Sequence, residues 1–118
     1  MRNMSFALTT RQYRDGSKTV TRRLGWAFLK PGDAVMGVVK SMGLRKGEGV
    51  QRLGPMVVVS NRPERLDAMT EGEPTLEGFP EMTPAEFVEM FCRHMKVHPL
   101  QAVNRIEFRR IEVLDADR

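Results

Sequence analysis

The apolar residues of this chain fall into short stretches with strand spacing, broken at close intervals by glycine, proline and aspartate. Only one stretch carries both a helix start and helical spacing. Residues 5–8 read as a short strand. Thr9 or Thr10 can cap a helical turn through Arg11, Gln12, Tyr13 and Arg14, which Asp15-Gly16 stops. A strand with β-branched residues follows at 18–23, and Pro31-Gly32-Asp33 makes a turn before a strand at 34–40 with Val35, Val38 and Val39 for the core. Residues 43–54 form a glycine-rich, basic hairpin loop, and 56–61 supply its partner strand. Residues 66–82 mix a possible helical turn with Gly72, Pro74, Gly78 and Pro80 and read as an ordered crossing loop. Thr83-Pro84-Ala85-Glu86 then gives a cap, a first-turn proline and a glutamate three residues after the threonine, so a helix is expected from Pro84 to about Met95, presenting Phe87, Met90, Phe91 and Met95. A last strand is expected at 101–113. Strands joined by short turns, with one long helix and one helical turn, point to a small mixed barrel rather than a doubly wound sheet.

Composition fits one domain, residues 1–118, with one core: 41% of the residues are apolar and 29% charged. No apolar run exceeds four residues, as in Met56-Val57-Val58-Val59, so no membrane span is expected. The first six residues lack the apolar stretch of a signal peptide, and Cys92 is the single cysteine, which together suggest a cytoplasmic protein. The net charge is +4, and 14 of the 19 basic residues are arginine. Arginine's planar fork matches phosphate oxygens and stacks on bases, so the charge permits nucleic acid without requiring it.

Four strings occur in order along the chain: Lys18-Thr19-Val20-Thr21-Arg22-Arg23, Phe28-Leu29-Lys30-Pro31-Gly32-Asp33, Leu76-Glu77-Gly78-Phe79 and Arg105-Ile106-Glu107-Phe108. In this arrangement the chain resembles the ASCH-domain family over nearly its whole length. The resemblance implies a mainly β fold with flanking helices (α+β), a small PUA-like mixed β-barrel around a cleft that takes RNA or a modified nucleoside. One branch of the family hydrolyses N4-acetylcytidine with a lysine, a threonine three residues later and a glutamate from the crossing loop. Lys18, Thr21 and Glu77 match those positions, and Arg23 stands where that branch has an arginine. The crossing loop differs in length, so Glu73 and Glu81 remain alternatives for the carboxylate. No cofactor or metal is implied, and a monomer is slightly favoured.

The residue types suit that chemistry. A threonine hydroxyl needs an adjacent base, and a lysine serves only when neutral. Burial and the neighbouring Arg22 and Arg23 would lower the pKa of Lys18 toward that state. Residues three apart on a regular strand face opposite sides, so Lys18 must sit at an irregular junction after Gly16 for both groups to reach one cleft. Glu77 could protonate the leaving amine or hold an exocyclic nitrogen. Arg22 and Arg23 are candidate substrate-binding groups, and Trp26, Tyr13 or Phe28 could stack on a base. Plainer uses exist for each: Thr21 as a strand former, Lys18 as a helix-terminus cation, and Trp26 and Phe28 as core. A second reading is a noncatalytic RNA-binding module using Arg45, Lys46 and Arg52 of the basic loop. A ribonuclease is a third, weakened by the lack of a paired-histidine or metal-binding pattern. His94 and His98 are four apart, but Pro99 suggests that the helix has ended, and Cys92 reads as packing.

Overall fold

The structure, a computed structural model, describes residues 1–112. Five strands form one mixed sheet: β1 (Asn3–Ser5), β2 (Val20–Arg23), β3 (Ala34–Val38), β4 (Arg52–Arg65) and β5 (Ala102–Arg110), in the order β1-β3-β4-β5-β2. β1 runs parallel to β3, and the other pairs are antiparallel. Three α-helices join them: α1 (Thr10–Asp15), the single turn α2 (Glu73–Leu76) and α3 (Pro84–Met95). Short 3-10 turns lie at Ala7–Thr9 and Leu66–Ala68. The α+β class is thus as expected. The sheet keeps two edges, β1 and β2, with no backbone ladder recorded between them, so the described residues do not form a ring closed by hydrogen bonds.

Several elements follow directly from local chemistry. α3 begins at a capping box in which the Thr83 hydroxyl accepts from the Glu86 amide at 3.2 Å and the Glu86 carboxylate accepts from the Thr83 amide at 2.9 Å. α1 stops at Gly16, whose φ of 81° continues the chain in a left-handed turn. The first strand is shorter and earlier than expected, because residues 7–9 turn into a 3-10 helix that feeds α1. β4 is longer than expected: it pairs with β3 through its first residues and with β5 to Arg65, with a register shift between Val58 and Ser60 that bends it. The last strand ends at Arg110, and Val113, expected in it, lies outside the described residues.

Two cores result. Met4, Phe6, Tyr13, Val35, Met56, Val58, Ile106 and Phe108 form the larger one. Leu66, Met69, Phe87, Phe91 and Val103 form the other, under α3. On β5 the alternation puts Ile106 and Phe108 in the first core and Val103 in the second, so both faces of that strand bury apolar residues. The larger core is tightly fitted around Tyr13, which stacks on Phe6 with ring centres 4.3 Å apart and donates its hydroxyl to the Gly54 carbonyl at 2.6 Å.

Candidate active site

Lys18 lies just ahead of β2, outside the regular strand. Its amide donates to the Gln12 carbonyl at 3.1 Å and the amide of Thr19 donates to the Leu76 carbonyl at 2.9 Å, so backbone bonds tie this junction both to α1 and to the crossing loop. On the other side, Glu77 follows α2 directly. Gly78 then turns the chain away at a φ of 101°, and the Gln12 side-chain amide donates to its carbonyl at 3.1 Å. Lys18 and Glu77 thus meet because α1, the β2 entry and the α2 turn are stitched together by main-chain groups.

The side chains that meet are deeply buried: Lys18, Thr21 and Glu77 are each 3% exposed. Lys18 Nζ donates to Glu77 Oε1 and to the Glu77 carbonyl, both at 2.8 Å. Desolvation lowers the Lys18 pKa; Glu77 opposes that shift and the charges of Arg23 and Arg22 add to it. Burial, not the arginines alone, is therefore the main influence on this amine. Thr21 Oγ1 accepts from Arg23 Nε at 3.0 Å, which leaves its own hydrogen free to donate. The Arg23 guanidinium also donates to the Ser5 carbonyl at 2.6 Å and lies 4.8 Å from the centre of the Phe6 ring. Burial lowers its pKa to about 10, so it remains a cation at neutral pH.

Arg22, expected as a substrate-binding group, also lines the cleft beside Lys18 and Thr21, with its guanidinium engaged by three carboxylates. Its Nε, Nη1 and Nη2 donate to Glu64, Glu77 and Glu73 at 3.0, 3.0 and 2.6 Å. Register explains why: Arg22 lies opposite Arg105 and Thr21 opposite Ile106, and opposite residues share a face, so adjacent positions of β2 divide between two sides. Glu73 bridges Arg22 and Arg105, whose guanidinium donates to it at 2.7 Å, and these hydrogen bonds hold the Glu73 pKa down at about 2. Of the three candidate carboxylates, Glu77 alone reaches Lys18; Glu73 belongs to the arginine network and Glu81 is exposed.

A cleft of about 280 Å³ opens over this group. Its walls include Lys18, Thr21, Arg23, Glu77 and Trp26, and on the opposite side Phe79, Phe87, Met90, Phe91, His94 and Met95. It lies where the two cores meet, with Phe6 from one and Phe87 and Phe91 from the other. Trp26 sits at a φ of 67°, in a loop held by Asn61, whose amide donates to the Trp26 and Leu29 carbonyls at 2.9 and 3.0 Å, and by Asn104, which donates to the Gly25 carbonyl. Of the other aromatic candidates, Tyr13 is enclosed in the core, and Phe28 is exposed beneath Arg2 without lining the cleft.

Arg45, Lys46 and Arg52 stand apart from the cleft. Arg52 lines a separate groove of about 770 Å³ with Arg14, Arg109 and Arg110, and Arg45 and Lys46 are exposed in the loop before β4. His94 ends on α3 while His98 lies beyond it, its Nδ1 accepting from the Leu100 amide, so the two do not share a helix face. The part of the site that sequence reasoning missed is the α3 wall, the carboxylate Glu64 and the pairing of Glu73 with Arg22 and Arg105. The helical spacing of Phe87, Met90 and Phe91 signalled an apolar face, but not that a cleft would open along it.

The molecule is therefore an α+β domain with a five-stranded mixed sheet and a buried lysine, threonine and glutamate at one cleft. No protein-family model and no curated protein matches the chain. Its fold is similar to the crystal structure of protein EF3133 from Enterococcus faecalis V583, a DUF984 protein, with a TM-score of 0.60 over 92% of this chain and 72% of that one. At 13% sequence identity the likeness extends to the fold alone.

Proposed function

We propose that the chain is an ASCH-type domain, its bent sheet serving as the PUA-like barrel, and that it hydrolyses N4-acylated cytidine, free or within RNA. The observation that carries this reading is the convergence of Lys18, Thr21 and Glu77, all nearly inaccessible, on one cleft. In the reaction, neutral Lys18 takes the proton from Thr21 Oγ1 as that oxygen bonds to the acyl carbon. The tetrahedral intermediate then breaks its bond to N4, and the Lys18 ammonium returns the proton to the departing amine. Water, deprotonated by Lys18, next adds to the acyl carbon of the threonine ester; the bond to Thr21 Oγ1 breaks, the Lys18 ammonium returns its proton to that oxygen, and the acid leaves, ionising to the carboxylate in solvent. Arg23 supports the step electrostatically, because its Nε–H points at the oxygen that must become nucleophilic. Both Glu77 oxygens are already engaged, one by Lys18 and one by Arg22, which favours a role in orienting the amine over one as proton donor.

The test is incubation with N4-acetylcytidine followed by chromatography for cytidine. Wild type is expected to release it, Lys18→Ala to abolish release, and Thr21→Val to do the same while keeping a β-branched strand residue. Melting curves of both variants separate lost chemistry from lost fold, which matters for Lys18→Ala because it removes one partner of a buried ion pair. Near wild-type turnover by Thr21→Val would rule out the hydroxyl as nucleophile.

A second reading, a noncatalytic RNA-binding module, is favoured by the arginine-lined groove of Arg14, Arg52, Arg109 and Arg110. Absence of hydrolysis of any N4-acylated cytidine, together with salt-dependent RNA binding, would put that reading first.

A further inference from the structure

The cleft is built in two unlike halves. Lys18, Thr21, Arg23 and Glu77 provide the polar end, whereas Phe79, Phe87, Met90, Phe91 and Met95 provide an apolar wall on and beside α3. At the mouth two apolar side chains stay uncovered: Leu8 on the 3-10 turn is 56% exposed and Met95 on the last turn of α3 is 41% exposed. Both line the same cavity. A single acetyl methyl group does not account for that much apolar lining. The volume of about 280 Å³ lies at the lower limit of ordinary small-molecule sites, roughly 300–1,000 Å³, so the occupant is part of a small ligand, not a protein segment.

We infer that the apolar half of the cleft receives the acyl chain of the substrate, and that this enzyme acts on N4-acylcytidines with acyl groups longer than acetyl. The inference rests on the hydrolase reading and adds its substrate class. With the scissile carbonyl at Thr21, the acyl chain runs along α3 past Met90 and Phe91 to Leu8 and Met95 at the mouth, and the sugar faces solvent, where its hydroxyls keep their water. The sugar's outward position also makes a free nucleoside and a nucleotide within a strand equivalent at the reacting centre. Extending the chain buries methylene groups against this wall, each worth about fourfold in binding of the transition state.

The experiment compares kcat/KM for N4-acetylcytidine, N4-propionylcytidine and N4-butyrylcytidine in wild type and in Leu8→Ser and Met95→Ser. In parallel, calorimetry measures the affinity of the nonhydrolysing Thr21→Val protein for the same compounds and for cytidine. The expected result is a butyryl-to-acetyl ratio of about sixteen in wild type, fourfold for each of two methylenes, that falls toward one in both variants. The ratio is insensitive to a general loss of active protein. If acetylcytidine is cleaved but longer chains are cleaved no faster, the inference is overturned and the hydrolase reading stands. If nothing is cleaved yet affinity still climbs with chain length, the apolar pocket stands and the hydrolase reading falls. No cleavage and no rise in affinity removes both.

Discussion

At the scale of single residues, the ion network around Arg22 is the feature with the clearest solution signature. Arg22 and Arg105 together hold Glu73, and their hydrogen bonds depress its pKa to about 2 from 4.5. A carboxylate stabilised in this way contributes fully above its unfolded value and loses its contribution as pH falls through the folded one. Stability should therefore decline between about pH 5 and pH 2, by on the order of 3 kcal/mol from this group. Urea midpoints measured at pH 7 and pH 3 check this: Glu73→Gln should lower the midpoint at pH 7 and flatten the difference between the two. An unchanged acid dependence would show that the pair with Arg105 contributes little. The Lys18 pKa is also lowered, but by burial, and in an amine that shift enlarges the neutral fraction. Under the proposed hydrolysis, with Lys18 as base, the rate should rise with pH and level off below the ordinary lysine value of 10.5, and a plateau at that value would show an unperturbed base.

At the scale of elements, β3 is fixed by a close approach. A Cβ at Gly37 would lie 2.5 Å from Tyr13 Oη and 2.6 Å from its Cε1, so Gly37→Ala must push the ring out of its stack on Phe6. A loss of roughly 1–3 kcal/mol is expected, read from denaturant midpoints, and a neutral outcome would mean that Tyr13 moves freely. Elements differ in how legible they are in the sequence. α3 is fully legible, because Thr83, Pro84 and Glu86 specify its start by local bonding alone. The second half of β4 is not: Asn61, Arg62, Pro63 and Glu64 have no strand pattern of their own and are extended because β5 pairs with them. In the site, Lys18 and Thr21 are legible from their spacing in the family resemblance, and the period of a strand would have separated Arg22 from Thr21. Which glutamate meets Lys18 is not legible, since the choice depends on a one-turn helix positioned by bonds from Gln12 and Thr19. The carboxylates Glu64 and Glu73 are brought to Arg22 by chain segments more than forty residues away, and no local pattern signals that.

At the scale of the whole molecule, positive charge gathers in a second groove that Lys18 also borders, lined by Arg14, Arg52, Arg109 and Arg110 along with Asp15 and Glu112, and in the basic loop before β4. A phosphate backbone lying there would release about one counterion per contact. Replacing Arg45, Lys46 and Arg52 together should weaken RNA binding and reduce the slope of log affinity against log salt by about two to three, measured by titration of a labelled strand. An unaltered slope would place the RNA elsewhere. The two edges of the sheet have a different dependence on charge. One guanidinium, that of Arg23, reaches from the β1 carbonyl of Ser5 to the β2 hydroxyl of Thr21. Among the described residues the two free edges of the sheet are thus fastened by one guanidinium, and one of its anchors is the Thr21 hydroxyl. Parting these edges would withdraw the cation from that oxygen, so under the proposed hydrolysis the spacing of β1 and β2 and the reactivity of Thr21 would change together.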